Sequence, residues 1–262
     1  MKKRIAALVL CLALVFALAA CGSSGGGNLT FGTGGETGTY FAFGGVLAQY
    51  VTSNTDTSVT AVSSKGSQAN IEDLDANAIQ LGFVQSDVMS YAYNGERLFE
   101  DPVTSFSVVA ALYMEQVQIV TLDPEIKTVA DLAGKTVSIG AAGSGVYYNA
   151  LDVLECYGLD AETDITAVKQ DFADSTESLQ DGKIDAAFIV SGAPTNAITS
   201  LAATQDVYLV SLDEEHIAAL RESSPYYSPN TIAADVYGTP EDCTTVAVGA
   251  IVIARDDASE DD

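Results

Sequence analysis

The sequence predicts an α/β protein built as two lobes, and two observations carry that prediction. After residue 28, short apolar runs alternate with helically patterned segments, as in βαβ units. The alternation also runs through twice, and each pass holds two strand–loop–helix junctions, at residues 32–40 and 84–87 and then at 140–145 and 190–195.

The chain opens with a basic stretch, Lys2, Lys3 and Arg4, followed by the apolar run "IAALVLCLALVFALAA". That run is short for a spanning helix and ends in small residues before a cysteine, as a secretory signal does. "LAAC" resembles a bacterial lipobox, with Cys21 as the lipidated first residue of the mature chain. Residues 1–20 are then the signal peptide. Residues 21–28 are the lipidated cysteine and a Gly/Ser tether, whose residues 22–28 would reach roughly 20 Å when extended. Two acyl chains suffice for stable anchoring at the outer face of a membrane.

"LTFGTG" reads as a strand entering a glycine loop, and Tyr40, Phe43, Leu47, Tyr50 and Val51 recur at helical spacing as one buried face. "SVTAVSS" is a second strand, "QANIEDLDANA" a polar helix and "IQLGFVQ" a third strand. "SDVMSYAYNG" is a helix with Ser86 as N-cap and Gly95 as stop. "FSVVAALY" and "VQIVTL" read as two extended runs separated by Met114–Gln116. In the second pass "TVSIG" enters "AAGSG", and "VYYNALDVLECYG" is a helix ended by Gly158. "ITAVK", "IDAAFIV" and "DVYLVSL" are strands, and "STESLQDG", "TNAITSLAAT" and "EEHIAALRE" are helices, the second with Pro194 in its first turn. "TTVAVGAIVIA" is a long central strand. "YMEQVQIVTLDP" and "SSPYYSPN" read as crossings, which assigns residues 29–115 and 226–262 to lobe 1 and 116–225 to lobe 2. The closing "RDDASEDD" reads as the start of a helix cut short.

Formal charge is −25. The leader contributes cations and no acid, so the mature chain is more acidic still. Such a surface argues against nucleic acid as a partner. It says little about a sheltered site, because surface charges are screened beyond about 8 Å. Apart from Cys11 and Cys21 the cysteines are Cys156 and Cys243, with no spacing that suggests zinc or a redox pair. They read as two buried thiols rather than a disulfide.

The stretch "GTGGETGTY" could cradle a phosphate, bend a loop or link an anchor to a domain. It lacks the lysine of a Walker loop and meets the dinucleotide spacing imperfectly, as does "GAAGSG". The single histidine, His216, lies in an acidic helix and reads as a surface residue, so no nucleophile–base pair stands out. Neither catalysis nor a cofactor is expected. At the carboxyl ends of strands, helix N-termini offer unpaired N–H groups to a ligand in the crevice.

"GTGGETGTYFAFGGVLA", "LGFVQSDVMSYAYNGE", "GKTVSIGAAGSGV", "DGKIDAAFIVSGAPT" and "TTVAVGAIVIARDD" together resemble the solute-binding proteins of TRAP transporters, TAXI subfamily. The resemblance implies a type II periplasmic-binding-protein fold: two lobes, each a mixed sheet flanked by helices, with the ligand cleft between them. It implies capture of a small carboxylate or amino acid such as glutamate, delivery to a sodium-coupled membrane permease, and no catalysis. By motif it places ligand contacts at Gly34, Gly35 and Tyr40, at Ser67 and Asn70, at Gln85 and Ser86, at Tyr113, at Ser144 and Gly145, and at Gly192 and Pro194. Lys65 stands where the family usually has glycine, and Glu36 adds a charge to the first loop. Those two could meet a ligand's carboxylate and ammonium, or both could point to solvent. A ligand-sensing lipoprotein for a membrane kinase, and an enzyme on the same fold, are the competing readings.

Overall fold

In the computed structural model of the chain, residues 27–97 and 99–258 are described. The expected signal peptide, the expected lipidation site Cys21, the expected tether as far as residue 26 and the acidic end at 259–262 lie outside the described residues. Strands β1 (Asn28–Gly32), β2 (Ser58–Val62) and β3 (Leu81–Gln85) form a parallel set in the order β2-β1-β3. Helices α1 (Thr39–Asn54) and α2 (Ser67–Asp75) connect them, and α3 (Ser86–Asn94) follows β3. Gly95 ends α3 in the left-handed region, at φ 67°, where glycine carries no Cβ penalty.

The second pass repeats the plan. Strands β5 (Thr136–Ser138), β6 (Thr166–Val168) and β7 (Ala186–Ser191) are parallel in the order β6-β5-β7. They are interleaved with α4 (Gly145–Cys156) and α5 (Phe172–Gln180), and α6 (Asn196–Ala202) follows β7. Strand β8 (Tyr208–Leu209), α7 (Glu214–Ser223) and β9 (Ser228–Ile232) come next.

Two long strands join the passes into one mixed sheet. These are β4 (Phe106–Thr121) and β10 (Cys243–Arg255), antiparallel to each other along most of their length. The end of β10 from Ala250 to Ala254 pairs with β3, and its beginning pairs with β9. The second part of β4 pairs with β7. Each strand thus changes sheet neighbours partway along.

Four sequence expectations are corrected here. The two runs around Met114 form one 16-residue strand, because Met114, Glu115 and Gln116 keep their ladder partners Gly249, Val248 and Ala247. The buried face of α1 is Tyr40, Gly44 and Ala48, whereas Phe43 and Tyr50 are exposed. Gly44 sets that face, since a Cβ there would stand 2.6 Å from Thr33 Cγ2. Ser86 is not the N-cap of α3. Gln85 holds that position, and the Ser86 hydroxyl accepts from the Gly249 N–H at 3.0 Å. Pro194 likewise precedes Thr195, the N-cap of α6, and so lies outside the helix.

Packing follows the two passes. Phe31 and Tyr40 stack on Phe83 at 4.9 and 4.6 Å in the first. Val117, Val137, Val153, Phe188 and Val246 share a cluster in the second. Ile232, Tyr237 and Cys243 also pack with the second pass, beside Leu179 and Ile198. The chain therefore returns to the first pass inside β10, near Gly249, rather than at Tyr226 where the sequence placed the crossing. Cys156 and Cys243 are free thiols.

Candidate functional site

The carboxyl ends of the parallel strands from both passes face one cleft of about 350 Å³. Its lining holds the first residues of four helices: Thr39 and Tyr40 of α1, Ser67 of α2, Gly145 and Val146 of α4, and Phe172 of α5. The N-caps of α1 and α2 are Gly38 and Gly66, and neither supplies a side-chain cap. Of their first-turn N–H groups, that of Thr39 donates to the Ser191 hydroxyl and that of Ala69 to the Gly143 carbonyl, which leaves the others at the positive end of the helix dipole for an acceptor. Gly66 has φ 110°, a backbone conformation that favours glycine, and its Cβ position lies in ordinary contact with Ser144 Cα at 3.6 Å, where the two passes meet.

Of the residues singled out by sequence, Gly34, Gly35, Tyr40, Lys65, Ser67, Gln85, Ser144 and Gly145 line this cleft. The threonine-rich first loop and the serine turn at 144 thus share one hollow. Ser144 also caps α4, accepting from the Tyr147 N–H at 3.3 Å. Asn70, Ser86, Tyr113, Gly192 and Pro194 are not in the lining, and Glu36 is exposed outside it. Asn70 is fully buried and donates to the carbonyls of Gly32, Thr33 and Phe83, which ties together the ends of β1 and β3. The Tyr113 ring packs 3.3 Å from where a Cβ on Gly192 would sit. The Gly192 carbonyl accepts from the Thr39 hydroxyl at 3.2 Å.

The rims of the cleft touch. The Ser191 hydroxyl donates to Thr39 Oγ1 at 2.9 Å and accepts from the Thr39 N–H at 3.3 Å. The Ala197 N–H donates to the Thr37 carbonyl at 3.1 Å, and the Ala69 N–H to the Gly143 carbonyl at 3.0 Å. Behind the cleft, Asn149 on α4 donates to Asp87 on α3 at 2.7 Å and to the Tyr227 hydroxyl at 3.0 Å. Tyr227 in turn donates to Asp152 at 2.8 Å, and Arg97 pairs with the same carboxylate at 2.5 Å. Burial, opposed by hydrogen bonds to the carboxylate, pushes Asp87 up to about 6.

Sequence reasoning missed the most perturbed acid of the cleft. Glu115, on β4, is 2 % exposed and accepts from the Tyr40 hydroxyl at 2.6 Å. Burial raises it to about 8, with the Tyr40 hydrogen bond pulling down and the Asp87 charge adding to the rise. Burial also raises Tyr40 and Tyr113, with the Glu115 charge adding, so both phenols stay neutral. An acid inside an otherwise apolar strand run was the available signal, and it was read as a break between strands. Thr39, Ser63, Ser64, Asp171, Phe172 and Ser191 also line the cleft without having been singled out.

Solved structures share this architecture at low identity. The alkanesulfonate-binding protein SsuA of Xanthomonas axonopodis pv. citri, bound to MOPS, is similar at TM-score 0.53 and 17% identity, over 87% of this chain and 65% of that one. An ancestral arginine-binding protein bound to arginine gives 0.56 and 15%, over 89% and 86%. Holo ArgBP from T. maritima gives 0.52 and 16%, over 87% and 83%. The chain thus spans just under two thirds of the SsuA protein it matches. These likenesses establish the fold: an α/β body with a mixed sheet and flanking helices, as in periplasmic binding proteins. The NMT1-like family model matches residues 31–262, and the chain belongs to the NMT1-like family.

Proposed function

We propose that this chain is an extracytoplasmic solute-binding lipoprotein, held to the membrane through Cys21. It captures a small carboxylate or amino acid between two lobes and hands it to a sodium-coupled TRAP-type permease. The observation that carries the reading is one cleft lined by helix N-termini from both passes, two of them without side-chain caps. Lys65 lines the same cleft and, among the described residues, forms no ion pair. Such a set of donors suits a small anion: charge-assisted hydrogen bonds contribute about 1.5–3 kcal/mol each, and micromolar binding requires about −8 kcal/mol. The five ordered motifs that resemble TAXI proteins support the choice of permease. The bound MOPS and arginine in the similar structures are consistent with a charged small solute.

The test is mass spectrometry of ligand co-purified with the tethered protein, followed by a thermal-shift screen of dicarboxylates and amino acids. A retained small acid and saturable stabilisation are expected, with compaction in X-ray scattering on binding. Absence of any stabilising solute, or chemical turnover of the bound one, would overturn the reading.

A further inference from the structure

The cleft holds one group that an anion alone does not explain. Glu115 is a nearly fully buried carboxyl in the lining, and Tyr40 is its sole hydrogen-bond donor among the described residues. That bond uses Oε2. No lysine or arginine among the described residues lies within ion-pair reach of either oxygen. A buried carboxylate without a cation is costly, so the free protein holds it as the neutral acid. As a permanent neutral hydrogen-bonding group it would offer little that glutamine could not.

We propose that Glu115, oriented by Tyr40, is the cleft's acceptor for the ligand's ammonium group, and that it releases its proton to solvent as the ammonium seats. The step balances: the Glu115 O–H bond breaks, the proton goes to water, and the ligand keeps its own charge, so carboxylate and ammonium enter the cleft as a pair. This deepens the solute-binding reading and rests on it. It moves the ammonium contact from exposed Glu36 to a residue inside the cleft. The groups facing Glu115 are Tyr40 from α1, Tyr113 from β4 and Asp87 from α3, with Lys65 and Asp171 elsewhere in the lining. The two phenols stay neutral throughout the working range, and Asp87 disfavours the Glu115 anion until a cation arrives.

With Glu115 near 8 in the free protein, linkage predicts release of about 0.9 proton per ligand bound at pH 7. Affinity should rise about 50-fold from pH 6 to pH 8. The experiment is titration calorimetry with the common amino acids and their des-amino carboxylates, such as glutamate with glutarate and leucine with 4-methylpentanoate. It is run at pH 6, 7 and 8 in buffers of different ionisation enthalpy. The expected result is an amine member binding at least tenfold tighter than its des-amino partner at pH 8, with proton release of about 0.9 at pH 7 falling to about 0.5 at pH 8. Glu115→Gln should abolish both the release and the pH dependence. Tyr40→Phe keeps the carboxyl but removes the bond that lowers its pKa, so the rise in affinity should move to higher pH. That second variant serves if the first fails to fold.

Equal binding of glutamate and glutarate, flat below pH 8 and weakening above it, would show neutral Glu115 donating to the ligand. That outcome overturns the inference while leaving the solute-binding reading intact. If no member of the panel binds at any pH, the solute-binding reading falls, and the inference with it.

Discussion

Asn70 separates a ligand contact from a scaffold contact, since the family resemblance places it in the site and the structure gives its amide to the backbone. Its Nδ2 donates to the Thr33 and Phe83 carbonyls at 2.7 and 2.8 Å, with a longer contact to Gly32 at 3.3 Å. Thr33 O has a second donor, the Ser64 hydroxyl at 3.1 Å, so Phe83 O bears most of the loss in Asn70→Ala. Two net bonds at about 1 kcal/mol each, with up to about 2 kcal/mol more for a stranded carbonyl, come to about 2–4 kcal/mol. At about 2–4 °C per kcal/mol for a chain of this size, the Tm should fall by roughly 5–15 °C. Asn70→Asp should be worse at pH 7, because a carboxylate would face two or three carbonyl oxygens. It should recover partly in acid, where a protonated carboxyl can donate one bond. Calorimetric unfolding gives the stability, and ligand titration well below the transition gives the affinity, expected to change less than about threefold as Asn70 lies outside the lining. A Tm within 2 °C of the parent, or a tenfold loss of affinity without loss of stability, would refute the scaffold role.

Two further predictions concern pH. Asp87 titrates at about 6 against a reference of 3.8. An acid raised in the folded state adds stability that is whole below the unfolded pKa and lost as pH rises through 6. Asp87→Asn should therefore be about 1–3 kcal/mol more stable than the parent at pH 8 and nearly equal to it at pH 3.5, as read by urea unfolding at the two pH values. Asp213, the N-cap of α7, shows the opposite sign. Its small burial pushes up, but hydrogen bonds from His216 and Tyr157 outweigh that and hold it at about 2. Its contribution is present above 3.8 and is lost as pH falls through 2. Asp213→Ala should cost about 1 kcal/mol at neutral pH, and the difference from the parent should close near pH 2.

Much of the fold was legible because its signals are local. Alternating apolar runs, Gly95 and Gly158 as helix stops, and the glycine-rich junctions each report on a few neighbouring residues. The helix after "GTGGETGTY" shows where local signals fail. Phe43 and Tyr50 have the right spacing for a core stripe, yet the sheet takes the side that carries Gly44, because close approach to Thr33 outweighs apolar content. Site residues divide along the same line. Of the turn glycines and serines named by motif, Gly34, Gly35, Ser67, Ser144 and Gly145 line the cleft, whereas Ser86 and Gly192 do not. Glu115 escaped notice because its meaning depends on what β10, α1 and β3 bring beside it. Asn70 was found, but sequence alone could not show whether its amide faces a ligand or three carbonyls.

The topology also limits how the cleft could open. The passes share no flexible linker among the described residues; they share β4 and β10, which change sheet neighbours near Met114 and Gly249. Register shifts in this pair fall just beyond Gly249, between Ala250 and Ile251 and between Val252 and Ile253, where an irregular ladder bends more easily than a regular one. Opposing any opening are a few rim bonds and the close approach of Gly145 to Gln85, whose Oε1 would lie 1.6 Å from a Cβ at position 145. Individually these contacts are weak, at about 1 kcal/mol per hydrogen bond. A bound ligand touching both passes would add several charge-assisted bonds to that small set. In the proposed solute-binding role, a ligand bridging both passes would outweigh that small set of contacts, and any bending would concentrate in the two strands that cross between the passes.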